Sequence, residues 1–193
     1  MAEDVHAHAR ADEDAACAVA HGGGPTPDEI AHGATPGGPG QDRLLVAVFA
    51  GAVSGFLLRY AADAGYQTLL VEPDEERAAG AAMPGLEVTG AVPSDLGDGA
   101  DVVVTDHHRD ELGAALRDAL ATKARWVGIM GNPRHEGPHV AALAALGVPP
   151  AQVARVHRPI GLNIGSRTPA EIAISTLAGL IADRNSRPGG FTF

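Results

Sequence analysis

The chain has 193 residues, 45% of them hydrophobic, a formal net charge of −10 and a single cysteine. That length and apolar content are enough for one sizeable buried core. The acidic balance, with no basic stripe, excludes an ordinary nucleic-acid binder; the lone Cys17 excludes an intrachain disulfide and predicts a cytoplasmic protein.

Residues 1–40 hold seven acids and one base among Gly, Pro, Ala and four histidines (His6, His8, His21 and His32). Such a segment has too little apolar surface to offset its ordering entropy, so residues 1–42 read as an acidic disordered tail. Its histidines read as solvated side chains rather than a metal site. The opening MAEDVHAH lacks an apolar core, so no secretory signal is expected. Leu44–Leu58 is uncharged but, at 15 residues, falls short of the roughly 18 that suggest a membrane span, so no membrane partner is expected.

From residue 43 the pattern changes. "LLVAVFA" (Leu44–Ala50) is a continuous apolar run, as in a strand buried on both faces. "GAVSG" reads as a turn and "FLLRYAADAG" (Phe56–Gly65) as a helix closed by glycine. "QTLLVE" (Gln67–Glu72) is a second strand, Glu75–Ala82 a weak helix and "LEVTG" (Leu86–Gly90) a short third strand. "DVVVTD" (Asp101–Asp106) is a strong strand, followed by a helix over Asp110–Thr122. "RWVGIMG" (Arg125–Gly131) is another strand and "PHVAALAALG" (Pro138–Gly147) another helix; Gln152–Val156 fits either type, and a last helix runs from Pro169 to about Asp183. Strands alternating with helical crossovers predict an α/β fold: a Rossmann-like, doubly wound, mostly parallel sheet with helices on both faces. It occupies residues 43–185, with 186–193 as a flexible C-terminus.

The turn after the first strand decides what such a fold binds. In "AGAVSG" the fingerprint positions are Ala50, Ala52 and Gly55, so only the helix-packing glycine of G-x-G-x-x-G is kept and Gly51 is out of phase. The helix start behind it still favours an anion, and the Ser54 hydroxyl could bond a phosphate. Glu72, about 20 residues on, stands where an acid would bond a ribose hydroxyl, and with Asp74, Glu75 and Glu76 it would repel a 2′-phosphate. NAD is therefore the dinucleotide to consider, serving an oxidoreductase with His107 or His108 near the substrate.

Two motifs mislead. "HEGPH" (His135–His139) matches H-E-x-x-H, but Pro138 belongs at a helix start and so puts His135 outside the helix; no zinc site and no catalytic residue are assigned. His107 and His108 are adjacent, so in a strand they would point to opposite faces and could not chelate one ion.

"RPIGLNIGSRTPAEIAIS" (Arg158–Ser175) is the most informative stretch. Thr168-Pro169-Ala170-Glu171 is a capping box with Pro at the first helical position. The helix start is an anion site with Arg167 beside it, and Gly161 and Gly165 let the loop turn or approach a ligand.

"PIGLNIGSRTPAEIAISTLAGLIA" resembles the C-terminal signature of the XdhC/CoxI family, whose usual run is P-I-G-L-D-I-G followed by a threonine-proline helix start. "VVVTDHHRDELGAALRDAL" and "WVGIMGNPRH" resemble that family's fourth- and fifth-strand segments, and the likeness extends over roughly Leu44–Arg184. The resemblance implies a non-catalytic accessory protein of molybdenum hydroxylases of the xanthine dehydrogenase type. It would bind molybdenum cofactor (molybdopterin), protect it during sulfuration and deliver it, with the hydroxylase apoenzyme and a cysteine desulfurase as partners; a homodimer is left open. Mapped onto these segments, cofactor contacts are expected from Gly51, Ala52, Ser54 and Gly55, from Glu72, Asp106 and His107, from Gly131, Asn132 and Arg134, and from Gly161, Asn163, Gly165, Arg167 and Thr168. Departures from the family pattern, above all Asn163 in place of Asp and alanines in the first turn, predict weakened or lost cofactor binding.

Overall fold

The computed structural model describes residues 43–131 and 137–190. Strands β1 (Leu44–Val48), β2 (Gln67–Val71), β3 (Glu87–Thr89), β4 (Ala100–Val104), β5 (Trp126–Ile129) and β6 (Val156–His157) form one sheet in the order β3-β2-β1-β4-β5-β6. Every pairing is parallel. The register places Val48 beside both Val71 and Val104, and Val104 beside Ile129, so the carboxyl ends of four strands lie level. The chain leaves β1 toward β2 on one side and returns to β4 on the other. This reversal opens a crevice at the carboxyl edge, between the loops that follow β1 and β4.

Alternate residues of each strand serve opposite faces, so one apolar run feeds two cores. Leu45, Ala47, Leu70 and Val103 pack under α1 (Ala52–Asp63) and α6 (Pro169–Arg184) through Leu57, Leu58, Ala61, Ala173, Leu177 and Leu180. Val46, Val48, Val102 and Val104 pack under α3 (Leu112–Ala121) and α4 (Pro138–Ala145) through Leu112, Leu116 and Leu143. The short helices α2 (Glu75–Gly80) and α5 (Pro150–Val153) complete the connections. The Arg158–Pro159 peptide is cis.

The doubly wound reading holds, with two adjustments. The segment expected to turn at Gly51–Gly55 is already helix: α1 begins at Ala52, because the Ser54 hydroxyl accepts from the Gly51 N–H at 2.8 Å and donates to its carbonyl at 2.9 Å, closing the first turn. The ambiguous stretch splits into α5 and the edge strand β6. As expected, α4 starts at Pro138, with Gly137 as its N-cap. Asn132, Arg134 and His135, like the tail at 1–42, lie outside the described residues.

At the amino edge of the sheet, Asp101 is fully buried and takes guanidinium groups from two directions, Arg125 Nε at 2.9 Å and Arg184 Nε at 2.8 Å. Burial pushes its carboxyl above the ordinary value against the pull of those two cations. This pins the last turn of α6 far from the crevice and fixes the angle at which the helix start reaches the carboxyl edge.

Candidate functional site

A cleft of about 1130 Å³ opens at the carboxyl edge. One wall is the ends of β4 and β5, with Thr105, His107, Met130 and Gly131; the other is the loop Pro159–Arg167 and the start of α6, with Ile172, Ser175 and Thr176. Val53, in the first turn of α1, closes one side. Thr105 joins the two central strands: its hydroxyl donates to the Val48 and Phe49 carbonyls at 3.0 and 2.9 Å.

The loop wall is held by α6. The Ser175 hydroxyl donates to the Leu162 carbonyl, and the Leu162 N–H donates to the Ser175 carbonyl at 3.1 Å. Gly161 sits at φ 84°, and a side-chain carbon there would lie 2.6 Å from Ser175 Oγ. Gly179 on the next turn packs closely as well: a β-carbon on it would stand 3.1 Å from Gly161 Cα, so the loop would have to move by a few tenths of an ångström. Glycines at both contact points let the loop lie directly on the helix.

The expected capping box is present. Thr168 Oγ1 accepts from the Glu171 N–H at 3.3 Å, while Glu171 Oε2 accepts from the N–H groups of Arg167 and Thr168 at 2.7 and 3.0 Å. The Arg167 N–H, then that of Thr168, hold the Glu171 carboxyl below its ordinary value. The start of α6 therefore already carries a carboxylate of its own.

Residues 45–180 match the XdhC Rossmann domain. The chain belongs to that family. It is 35% identical over 89 residues to the Escherichia coli K12 protein YqeB, an alignment covering 46% of this chain and 16% of YqeB. In fold it is similar to a chain described as a xanthine dehydrogenase from Bacillus halodurans, with a TM-score of 0.60, 21% identity, and coverage of 85% of this chain and 53% of that one. The chain thus spans about half or less of the length of these two proteins.

Of the residues singled out from sequence, this XdhC Rossmann domain brings His107, Gly131, Gly161, Asn163 and Arg167 together in the cleft. Gly165, at φ 69°, and Thr168 shape the loop and the helix start beside them. Asp106 Oδ1 accepts from the His108 N–H at 2.9 Å, an Asx turn that orients the His107 loop. The His107 and His108 rings lie 4.0 Å apart, centroid to centroid. Among the described residues no group of three or more His, Cys, Asp or Glu could hold a metal ion.

The first-turn residues are placed otherwise. Gly51 and Ala52 are exposed at the start of α1, and the Ser54 hydroxyl is spent on Gly51. Gly55 has nothing within 4 Å of where a β-carbon would stand, so close helix packing does not require a glycine there. Gly51, Ser54 and Gly55 line a separate pocket of about 150 Å³.

Glu72 departs most from expectation. It is 1% exposed. Its Oε2 accepts from the Ala50 N–H at 2.7 Å and Arg109 Nη1 at 3.1 Å; its Oε1 accepts from the Asp74 N–H at 3.0 Å and Arg109 Nη2 at 2.9 Å. Burial raises its carboxyl, but Arg109 and the two backbone donors outweigh it and leave it below the ordinary value. All four bonds are internal, so the carboxylate is committed to holding the first turn rather than turned toward a ribose. Arg109 also lies over the Phe49 ring at 4.7 Å, and Phe49 sits at φ 75°, a left-handed conformation unusual for a bulky side chain. Sequence gave no signal for the Glu72–Arg109 pair, because its members are 37 residues apart. Thr105 does carry a sequence signal: a hydroxyl one residue past a strong strand, in the place where doubly wound sheets bind ligands.

Proposed function

We propose that the chain is a non-catalytic accessory protein that binds molybdenum cofactor and assists its sulfuration and insertion into a molybdenum hydroxylase of the xanthine dehydrogenase type. Membership of the XdhC family over residues 45–180 carries this reading. The cleft supports it. Its volume suits a ligand the size of a tricyclic pterin bearing a phosphate, and its rim combines apolar faces (Met130, Ile160, Ile172) with polar groups (Asn163, Ser166, Arg167). Met130 and Ile172 would lie against the ring system, Asn163 would meet its amide and amino edge, and His107 and Arg167 would attend its charged groups. Bound cofactor would supply the molybdenum chemistry, and these residues would hold and shield it. The apo-hydroxylase and a cysteine desulfurase are the partners such a role requires.

Purified chain mixed with molybdenum cofactor should retain it through gel filtration and restore activity to an apo-hydroxylase. A folded chain that retains none would refute the proposal. The oxidoreductase alternative needs a dinucleotide, and Glu72, its ribose anchor, is already paired; titration with NADH should give no saturable fluorescence change.

A further inference from the structure

A second cavity, of about 250 Å³, lies at the β6 edge of the sheet and shares the loop Pro159–Leu162 with the cleft. Its floor is an aromatic pair, and Gly128 makes room for it. A β-carbon on Gly128 would fall 2.2 Å from Trp126 Cη2 and 2.9 Å from Ile160 Cγ2, so the indole lies across its own strand. His157 pairs with Gly128 in the sheet register and stacks on that indole, 4.9 Å between centroids and 8° between planes. Trp126 is buried and His157 is exposed, so the imidazole is the surface that the pair offers.

The opposite wall is α6, with Thr176, Gly179 and Leu180, and the segment after it, with Arg187 and Pro188. Two polar groups on that wall are spent. Thr176 Oγ1 donates to the Ile172 carbonyl at 2.9 Å, and the Asp183 carboxylate is paired with Arg125. Arg187 is different: its guanidinium is exposed, lines the cavity, and has no side-chain hydrogen bond or ion pair among the described residues. The unanswered charge of the pocket is therefore positive.

We propose that this pocket binds a small aromatic acid, whose ring lies on the His157 imidazole and whose carboxylate takes the Arg187 guanidinium. Size, shape and charge each select for it. The volume is below the roughly 300–1000 Å³ of sites for larger ligands, so it admits one ring or two fused rings and excludes the ligand assigned to the cleft. A flat ring adds a third layer to the existing stack, and Ile160, Leu180 and Pro188 give its edges apolar neighbours. The planar fork of an arginine matches the two oxygens of a carboxylate.

The pocket is also placed to act on the cleft. Pro159, Ile160, Gly161 and Leu162 line both spaces, so the loop between them is a shared wall. The segment that carries Arg187 rests on this wall: a β-carbon on Gly189 would stand 2.7 Å from Leu162 Cδ2. An acid that draws Arg187 onto the pocket therefore presses the same loop that faces the cleft. Binding in the pocket stands apart from the proposed function; only this second step rests on the cleft being a cofactor site.

Trp126 is the chain's single tryptophan, so its emission reads this pocket alone. The test is titration of the full chain with benzoate, followed by tryptophan fluorescence and backbone amide NMR. Benzoate should give a saturable change at about millimolar concentration, the range open to so small a ligand. Benzamide, which keeps the ring without the charge, should bind about tenfold more weakly, and cyclohexanecarboxylate, which keeps the charge without the aromatic ring, several-fold more weakly. Arg187→Gln should weaken benzoate about tenfold. His157→Phe should retain binding and His157→Ser lose it, which separates the stacking surface from the fold. No saturable response from the folded chain, equal affinity for benzamide, or undiminished affinity in Arg187→Gln would overturn the site. Benzoate should also shift the Gly161 and Leu162 amides and change cofactor retention; a saturable tryptophan response with those amides unmoved would sink the coupling and leave the pocket standing. The fluorescence titration contains no cofactor, so its failure leaves the proposed function intact, and a chain that binds benzoate but retains no cofactor refutes that function and not the pocket.

Discussion

Replacing Arg109 by alanine tests the reasoning about Glu72 directly. The two side chains share a bidentate pair at 2.9 and 3.1 Å, with Arg109 10% and Glu72 0% exposed by side chain. A pair so shielded is not a surface salt bridge worth at most about 1 kcal/mol. Removing the cation leaves a carboxylate with two backbone donors and no compensating charge, and breaking a buried pair in this way costs about 3–5 kcal/mol. Losing the guanidinium contact with Phe49 adds about 0.5–1 kcal/mol. Urea denaturation at neutral pH should therefore show a loss near the upper end of that range. The pH dependence gives an independent sign. In the native chain Glu72 lies below its ordinary 4.5, so its contribution is present above that value and is lost as pH falls through the folded pKa. In Arg109→Ala the pull of the cation is gone and the carboxyl rises, so the variant regains stability relative to the native chain on acidification. Glu72→Gln combined with Arg109→Met, which removes both charges, should recover much of the loss. A deficit under about 1 kcal/mol at neutral pH, or one that does not change with pH, would mean that solvent screens the pair and that Glu72 is available to a ligand after all.

Three other substitutions separate scaffold from site. Gly161→Ala forces a side chain into φ 84° and against Ser175, which should cost about 2–3 kcal/mol in thermal denaturation and loosen the cleft wall. Thr168→Ala removes the cap of α6 and should cost about 1 kcal/mol by the same measurement, with cofactor retention unchanged because Glu171 already occupies that helix start. Asn163→Asp places on the exposed rim of the cleft a charged acceptor for pterin N–H groups and should strengthen cofactor retention up to about tenfold, read by equilibrium gel filtration; unchanged retention would show that Asn163 is not what weakens binding.

Much of the fold was legible because its signals are local. β1 and β4 are apolar on both faces, so "LLVAV" and "DVVV" announce buried parallel strands wherever they lie in the chain. The start of α6 was legible for the same reason: a capping box is complete within four residues. The start of α1 is less legible: Gly51 and Gly55 read as turn punctuation, while the deciding contact is a serine hydroxyl folding back over three residues. β6, two residues long at the sheet edge, carries too little pattern to be told from a helix end.

The site was legible only where one segment could build it alone. The loop Pro159–Arg167 announced itself by glycines and a helix cap, and it does line the cleft. Glu72 was read by its position in a fingerprint, and that reading assumes that nothing else in the chain competes for the carboxylate. A carboxylate has room for about four hydrogen-bond donors, and which donors reach it is decided by packing. Here a cation from the β4–α3 loop and two N–H groups fill all four. Without Arg109 the carboxylate would keep only its two backbone donors, and half of its acceptor capacity would be open. What commits the acid at the end of β2 is thus the arginine that directly follows a histidine pair, and its effect appears only once the sheet has brought β2 and β4 within reach of each other.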